Sequence, residues 1–305
     1  MTSVRNTGVA LRRYTACKIK RNTDVSIAEP YDSAMRIREA WKAAAIDRTD
    51  AQVLLAHVLG HDRAWLLAHS DDVMDASACD RWQNALKAYQ AGEPVSYITG
   101  EREFYGRSFI VDHRVHIPRP STENLVTLAL EFLDAPRDQI RVLEPEISGV
   151  ARVLHTHSGV HTIIDVGTGS GCMAITMALE RPDLRVLAID KSADALGVAR
   201  INAERFDVGD RVTFLQGDLL EPVSKEQSPF MVISNPPYLS SETVALKPDL
   251  HGEPRSALDG GPDGTEVLRQ LWNQAKSHPL CAGIIVECMQ NAIGVLSSNR
   301  AEDSL

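Results

Sequence analysis

A glycine-rich turn that follows a short apolar run constrains the fold of this chain more than any other sequence feature. The run at residues 162–164 predicts a buried strand, and Asp165-Val166-Gly167-Thr168-Gly169-Ser170-Gly171 follows it directly. Glycines adopt backbone conformations that other residues avoid, so this turn can approach a ligand closely at the start of the next helix. Because many nucleotide-binding folds share such turns, the feature alone leaves the ligand open.

Downstream of the turn, apolar runs alternate with helix-like segments. Further strands are predicted at residues 184–189, 212–215, 230–234 and 283–287. This alternation is typical of a doubly wound α/β fold with a parallel sheet, whose ligands bind at the carboxyl ends of the strands. Asp190 stands at such an end, where its carboxylate is expected to accept hydrogen bonds from both ribose hydroxyls of a nucleoside cofactor. The alternative is that Asp190 caps the helix predicted over residues 192–206.

The motif Asn235-Pro236-Pro237-Tyr238 follows the strand predicted at residues 230–234. An amide NH2 group is a poor nucleophile because its lone pair is delocalised, so positioning is the most useful contribution that a protein can make. The side-chain oxygen of Asn235 and the carbonyl of Pro236 can accept its two N–H groups, and Tyr238 offers a flat face for packing. The prolines restrict φ and hold that carbonyl in place. An ordinary proline-rich turn is the alternative, but the glycine-rich turn upstream favours the functional interpretation.

Together the two motifs resemble S-adenosylmethionine-dependent methyltransferases that modify a planar amide or amino nitrogen. Residues 94–100, 104–111, 117–123 and 253–264 narrow the resemblance to the protein-glutamine N5-methyltransferases. Within that family, the run Arg119-Pro120-x-Thr122-Glu123 is similar to the branch that acts on peptide chain release factors. The resemblance covers about residues 31–290, and the motifs in the linker and at residues 253–264 are far more specific than glycine spacing.

The resemblance implies a Rossmann-like methyltransferase domain with a small N-terminal helical domain, and S-adenosylmethionine as the cofactor. It implies methylation of the side-chain amide nitrogen (N5) of the glutamine in a Gly-Gly-Gln motif of a release factor, by direct in-line displacement without a metal. Asp218 would accept from the amine of adenine, and Leu219 would cover the ring. The catalytic residues would be Asn235, Pro236, Pro237 and Tyr238. The cofactor-binding residues would be Gly167, Thr168, Gly169, Ser170, Gly171, Asp190, Asp218, Leu219 and Asn235.

Other functions stay open at this level. They are N5-glutamine methylation of a large-subunit ribosomal protein, methylation of an amino group in DNA or RNA, and a truncated, non-catalytic family member. The net charge of −9 argues against a protein that grips nucleic acid mainly through phosphates, so no direct nucleic-acid binding is expected. The five cysteines form no Cys-x-x-Cys pair, which indicates neither a zinc site nor a disulfide framework and fits a reducing compartment.

Four segments are predicted along the chain. Residues 1–30 form a disordered or targeting tail, in which the first 23 residues carry six basic and no acidic side chains. A cytoplasmic protein is expected, and a mitochondrial presequence also fits that composition. Residues 31–93 form a helical substrate-docking domain, and residues 94–120 form a linker hairpin with Gly106 near its turn. Residues 121–305 form the methyltransferase domain; no apolar run approaches the ~18 residues that span a bilayer, and the oligomeric state is left open.

Helix ends are predicted from single residues. Asp50 is expected to cap a helix over residues 51–59, with Gly60 as its stop, and Ser121 or Thr122 is expected to cap the helix after the linker. Two stretches differ from the family pattern. Residues 134–160 are expected to be irregular, and a solvated loop is expected to explain the cluster of His155, His157 and the adjacent His161.

The C-terminal strand hairpin that completes the sheet in the family has no counterpart after residue 287. The strand at residues 283–287 is therefore expected to become an exposed sheet edge. Exposed apolar edges invite pairing between molecules, so self-association, reduced stability and weak activity are expected.

Overall fold

The computed structural model describes residues 35–134, 150–154, 159–247, 250, 252–289 and 292. The tail predicted at residues 1–30, and His155 and His157, lie outside these ranges, whereas His161 is exposed. Within the described ranges, no helix combines the length and the hydropathy that crossing a lipid bilayer requires.

Helices make up the N-terminal part of the described chain. They are α1 (Ile37–Ala43), α2 (Arg48–Leu59), α3 (Arg63–Ala68), α4 (Ala76–Gln90) and α5 (Val95–Thr99). The prediction that Asp50 caps α2 is wrong, because Asp47 accepts the backbone N–H groups of Thr49 and Asp50 at that end. Asp50 lies in the first turn and accepts the hydroxyl of Tyr89 at 2.8 Å. Gly60 ends α2 at φ +72°, as predicted.

An antiparallel hairpin and a short turn of helix connect the two parts. The hairpin consists of β1 (Glu101–Phe104) and β2 (Arg107–Ile110), with Gly106 in its turn, which confirms the predicted hairpin. A 3-10 helix at Pro120–Thr122 then leads into α6 (Glu123–Asp134). The prediction that Ser121 or Thr122 caps this helix is wrong, because both hydroxyls donate to the carboxylate of Glu287 instead.

A six-stranded sheet in the order β3-β8-β7-β4-β5-β6 forms the second part of the described chain. The strands β4 to β8 run parallel, and β3 is antiparallel to β8. The strands are β3 (Val150–Leu154), β4 (Thr162–Val166), β5 (Arg185–Asp190), β6 (Val212–Gln216), β7 (Phe230–Ser234) and β8 (Cys281–Glu287), and the helices are α7 (Cys172–Glu180), α8 (Ala193–Arg205), α9 (Ser241–Leu246) and α10 (Glu266–Ser277).

Helices cover both faces of this sheet. Every residue of β4 and β7 is buried, as expected for central parallel strands. Ile163 of β4 packs in a core with α6 and α7, whereas the next residue, Ile164, packs in a second core with α10. This alternation of strand residues between two helical layers confirms the doubly wound α/β fold.

Strand β3 corrects two predictions. Residues 134–160 were expected to be irregular throughout, yet residues 150–154 form this strand. Its register pairs Val150 with Glu287 and Leu154 with Gly283. Strand β8 therefore has a neighbour on its outer side and is not the exposed edge that was expected. Since β3 pairs with a segment far along the chain, its local sequence pattern holds little information about this partner.

Candidate active site

The carboxyl ends of neighbouring parallel strands bring the two main motifs side by side. Strand β4 lies between β7 and β5, and Val166 pairs with Ser234 of β7 and with Ile189 of β5. The glycine-rich turn after Val166 and the loop that starts at Asn235 therefore leave the sheet at the same level. The hydroxyl of Ser234 donates to the carbonyl of Val166 at 2.7 Å and ties the two strand ends together.

The glycine-rich turn has open space at its first two glycines and is tightly packed at its third. Gly167, Gly169 and Gly171 all have positive φ, at +73°, +55° and +81°. A Cβ on Gly167 would meet no atom within 4 Å, and one on Gly169 would meet only the carbonyl oxygen of Gly167 at 4.0 Å. A Cβ on Gly171 would lie 3.1 Å from that of Ala199, so this glycine lets α7 and α8 pack closely. The first two glycines thus leave room for a ligand.

The side chains of Thr168 and Ser170, both predicted to bind the cofactor, are buried in the protein. The hydroxyl of Thr168 donates to Asp165 at 2.7 Å. The main-chain carbonyl of Ser170 accepts from the side-chain amide of Asn202 at 2.8 Å. These contacts anchor the turn to Asp165 and to α8, and among the described residues the Ser170 hydroxyl has no hydrogen-bond partner.

Asp165 is a site residue that was not predicted. It is fully buried, and its Oδ2 accepts the Thr168 hydroxyl and the N–H of Ala174, at 2.7 and 3.0 Å. Its Oδ1 has no hydrogen-bond partner among the residues that the structure describes. Burial raises the pKa of Asp165 to about 7. A buried acceptor left over beneath an open turn suits a ligand with a positively charged group.

Asp190 lies at the end of β5, beside the turn. Its Oδ2 accepts the N–H of Gly169 at 2.9 Å, and its Oδ1 accepts the N–H of Ser192 at 2.8 Å. Burial raises the pKa of Asp190, although these backbone N–H groups act in the opposite direction. Helix α8 is capped by Ser192, which excludes the cap role considered for Asp190. The backbone N–H of Lys191 also acts on this carboxylate. Because the two oxygens together offer about four acceptor positions, at least one stays available for a ligand.

Asp218 and Leu219 follow the neighbouring strand β6, whose Gln216 pairs with Asp190. The carboxylate of Asp218 is half-exposed and lies 3.3 Å from Nζ of Lys191. Leu219 is 9% exposed and packs in the core that contains Ile164 and α10. Its φ of +49° is uncommon for a residue other than glycine. The structure therefore brings both residues to the same edge as the turn, with the Leu219 side chain mostly inside.

The Asn-Pro-Pro-Tyr loop is held by a buried carboxylate. Nδ2 of Asn235 donates to Oγ1 of Thr122 at 3.0 Å, and Oγ1 of Thr122 donates to Oε2 of Glu287 at 2.8 Å. The hydroxyl of Tyr238 donates to Oε1 of Glu287 at 3.3 Å. Burial and the adjacent Glu287 raise the pKa of Tyr238 to about 12, so this hydroxyl keeps its proton. Thr122 and Glu287 were not predicted as site residues, although Thr122 belongs to a run that resembles the family.

The run at residues 253–264 braces the same loop. The N–H of Gly260 donates to the carbonyl of Leu239 at 2.8 Å, and a Cβ on Gly260 would lie 2.5 Å from the carbonyl oxygen of Pro237. Only glycine allows so close an approach. Arg255 donates to Asp259, which also accepts the hydroxyl of Ser241 at 2.7 Å. Pro236 itself is buried and Pro237 is half-buried.

The linker is tied to this run through Glu253, whose side chain is 2% exposed. Glu253 accepts the guanidinium of Arg119 and the N–H of Ile117, and Nδ1 of His116 lies 2.6 Å from it. Burial acts to raise the pKa of Glu253, but His116, the N–H of Ile117 and Arg119 together lower it. The charged Glu253 thus fixes the linker against the loop that contains Tyr238.

The groups at this edge fit a nucleoside cofactor with a cationic centre. The turn leaves open space above Gly167 and Gly169, Asp190 keeps at least one acceptor position, and Asp165 has an oxygen without a partner among the described residues. Hydroxyls and a positive charge are the ligand groups that such acceptors bind.

Comparisons with known proteins agree with this fit. Residues 36–100 match the sequence profile of the PrmC N-terminal domain, and residues 150–251 match that of the methyltransferase small domain. A release factor glutamine methyltransferase of Nitratidesulfovibrio vulgaris is 35% identical over 84% of this chain and 81% of its own length. The enzymes of that name from Burkholderia pseudomallei and Chlorobaculum tepidum are 37% and 39% identical, over 76% and 73% of this chain and 76% and 72% of their own lengths.

The two profile matches lie in the helical part and in the part that forms the sheet. The protein uses S-adenosylmethionine as its cofactor. It is a protein-glutamine methyltransferase and belongs to the release factor glutamine methyltransferase family.

Proposed function

We propose that this protein methylates the side-chain amide nitrogen (N5) of the glutamine in the Gly-Gly-Gln motif of a peptide chain release factor. The observation that carries the proposal is the register of Val166 with Ser234, which sets the Asn-Pro-Pro-Tyr loop beside the glycine-rich turn. An amide held by the loop would face a methyl donor held by the turn. The names of the relatives point to the same class of substrate.

The loop residues would act by positioning. Oδ1 of Asn235 and the carbonyl of Pro236 would accept the two N–H groups of the glutamine amide, and the ring of Tyr238 would pack on its plane. S-adenosylmethionine supplies a methyl group bound to a positively charged sulfur. The amide nitrogen would take this methyl group as the carbon–sulfur bond breaks and would lose one proton to water, while Asn235 and Pro236 hold the amide in line. Orientation of reacting groups can supply several kcal/mol of the barrier, on the order of 7–11 kcal/mol in the best cases.

The cofactor would lie along the edge formed by β4, β5 and β6. Gly167 and Gly169 would let the backbone approach it, and Asp190 would accept from its ribose hydroxyls. Asp218, with its half-exposed carboxylate, would accept from the adenine amine. The small exposed part of Leu219 would contact the ring.

We assign docking of the release factor to the helical domain at residues 31–93, joined to the methyltransferase domain at residues 121–305 by the linker at residues 94–120. The helices of the docking domain have their own apolar core, which includes Leu54, Leu66 and Trp82. Residues 31–100 carry ten acidic and seven basic side chains, which favours a protein partner over nucleic acid. A release factor substrate places the enzyme where ribosomes work, in the cytoplasm or in mitochondria.

Methyl-labelled S-adenosylmethionine tests the substrate directly. We expect label on the glutamine of a release factor, and none on a release factor whose Gly-Gly-Gln glutamine is replaced by glutamate. A large-subunit ribosomal protein and DNA serve as competing substrates. Label on either of these, with none on the release factor, would overturn the proposal.

Asn235→Ala tests the role of the loop. The variant should lower the single-turnover rate by about a hundredfold or more, by analogy with the loss of one positioned polar group in other active sites. Its affinity for the cofactor, measured by calorimetry, should change much less than its rate. A single-turnover rate near that of the wild type would remove Asn235 from the mechanism.

A further inference from the structure

Glu287, at the end of β8, accepts hydrogen bonds from three hydroxyl groups in the interior of the protein. It is 6% exposed. Its Oε1 accepts the hydroxyls of Ser121 at 2.9 Å and Tyr238 at 3.3 Å, and its Oε2 accepts that of Thr122 at 2.8 Å. A buried carboxylate is tolerated when hydrogen-bond donors surround it, and these three hydroxyls are such donors.

The hydrogen-bond roles in this cluster follow from counting protons. An ionised carboxylate accepts hydrogen bonds and donates none, and a threonine hydroxyl has a single proton. Because Thr122 gives that proton to Glu287, its oxygen has only lone pairs left for Asn235, 3.0 Å away. The partner atom on Asn235 must then be Nδ2, since Oδ1 in that place would set two acceptors against each other. Nδ2 therefore faces Thr122, and Oδ1 faces the opposite way.

We propose that Thr122 and Glu287 are positioning residues, which fix the side-chain amide of Asn235 so that its oxygen faces the substrate amide. This inference rests on the proposed function, in which Oδ1 of Asn235 accepts an N–H of the substrate. The same carboxylate holds the hydroxyl of Tyr238, so Glu287 sets the orientation of both side chains that flank the substrate. The proposed positioning role also gives a chemical reason for Ser121 and Thr122 in the linker run at residues 119–123.

Replacement of the threonine hydroxyl separates this role from packing. Thr122→Val has nearly the same shape but cannot accept from Asn235, so the amide loses its preferred orientation. We expect its single-turnover rate at saturating release factor to fall about 10–100-fold, as for other residues that orient a ligand-binding side chain. Thr122→Ser keeps the hydroxyl and should recover most of that loss. Cofactor affinity should change much less than the rate in both variants, because among the described residues no hydrogen bond joins Thr122 to the glycine-rich turn or to Asp190.

Glu287→Gln gives a second, independent variant. The glutamine NH2 can donate to Thr122, whose own proton then turns toward Asn235 and favours the flipped amide. We expect a loss of rate similar to that of Thr122→Val. In the Asn235→Ala background, Thr122→Val should have no further effect on the rate, because no amide is left to orient.

The outcomes distinguish this inference from the proposed function. A wild-type enzyme that leaves the release factor unlabelled overturns the proposed function and this inference with it. A wild-type enzyme that labels the release factor, with Thr122→Val and Glu287→Gln within about threefold of its rate, overturns the positioning role alone. Equal losses in Thr122→Ser and Thr122→Val, or additive losses with Asn235→Ala, would show a packing role and likewise overturn it.

Discussion

At the scale of single residues, the carboxylate of Asp190 binds backbone N–H groups of the protein and, in the proposed function, also binds the cofactor. One acceptor position on each oxygen is used by the N–H groups of Gly169 and Ser192. If the other positions bind the ribose, Asp190→Ala loses hydrogen bonds to a charged group, worth about 1.5–3 kcal/mol. Cofactor affinity, measured by calorimetry on the folded variant, should then fall roughly tenfold to a hundredfold.

Asp183→Ala is the matched control for Asp190→Ala. Asp183 precedes β5 at the amino end of the sheet, where it pairs with Arg181 on the surface. Its loss should leave cofactor affinity unchanged. Equal affinity of Asp190→Ala and the wild type would exclude Asp190 from the cofactor site.

The pH dependence of stability is the second prediction at this scale. Burial raises the pKa of Asp165 from its ordinary value of 3.8 to about 7. Between these two values the folded protein holds a proton that the unfolded chain has lost, so stability contributed by Asp165 falls as the pH rises through this window. Above the folded pKa the loss is complete and constant. The slope is at most about 1.4 kcal/mol per pH unit.

Asp165→Asn isolates this effect, because asparagine keeps the shape of the side chain but does not titrate. Urea unfolding of the cofactor-free proteins at pH 5, 6, 7 and 8 measures the difference. Relative to the wild type, the variant should gain stability from pH 5 to 7 and show little further change at pH 8. Parallel pH profiles of the two proteins would contradict the raised pKa.

At the scale of elements, several local motifs predicted the structure correctly, although the cap predicted at Asp50 lies at Asp47 instead. The turn at Gly106, the helix end at Gly60 and the strands around the glycine-rich turn depend on backbone preferences of adjacent residues. The partners of Thr122 and of strand β3 do not depend on adjacent residues. The hydroxyl of Thr122 donates to Glu287 in β8, which lies more than half of the chain length away in the sequence. Such pairings depend on the completed fold.

Asn202 of α8 joins three elements and allows a prediction of its own. It is fully buried, and it bonds to the N–H and the carbonyl of Ile110 in β2 and to the carbonyl of Ser170 in the glycine-rich turn. Asn202→Ala leaves the buried carbonyl of Ser170 and the partly buried groups of Ile110 without this partner, at a cost of about 1–3 kcal/mol for each group that water cannot reach. We expect the free energy of unfolding to fall by several kcal/mol, measured by urea denaturation.

Gln274→Ala provides the comparison for Asn202→Ala. Gln274 is partly exposed and makes one such bond, to the N–H of Leu220 at 2.9 Å. It should therefore cost clearly less than Asn202→Ala. Similar losses in the two variants would show that Asn202 does not hold the hairpin and the turn together.

At the scale of the whole molecule, the sheet order determines which strand is exposed. The alternation of strands and helices predicted the parallel strands and the edge at which Asn235 and the glycine-rich turn meet. It did not predict that β3 lies antiparallel to β8, because the pairing of Val150 with Glu287 leaves no periodic pattern in either segment. In the described part of the sheet, β3 covers the outer side of β8, whose backbone also carries the proposed positioning residue Glu287.

If β3 protects β8, the protein should be monodisperse in light scattering at micromolar concentration, and a defect in β3 should make it self-associate. Backbone N–H groups alternate between the two sides of a strand, so of Ala151 and Arg152 one donates toward β8 and the other faces outward. Proline removes the N–H at either position. One of Ala151→Pro and Arg152→Pro should therefore self-associate and melt at a lower temperature, while the other behaves more like the wild type. Arg152→Ala controls for the side chain. Self-association of the wild type, or no change in either proline variant, would show that β3 does not protect this edge.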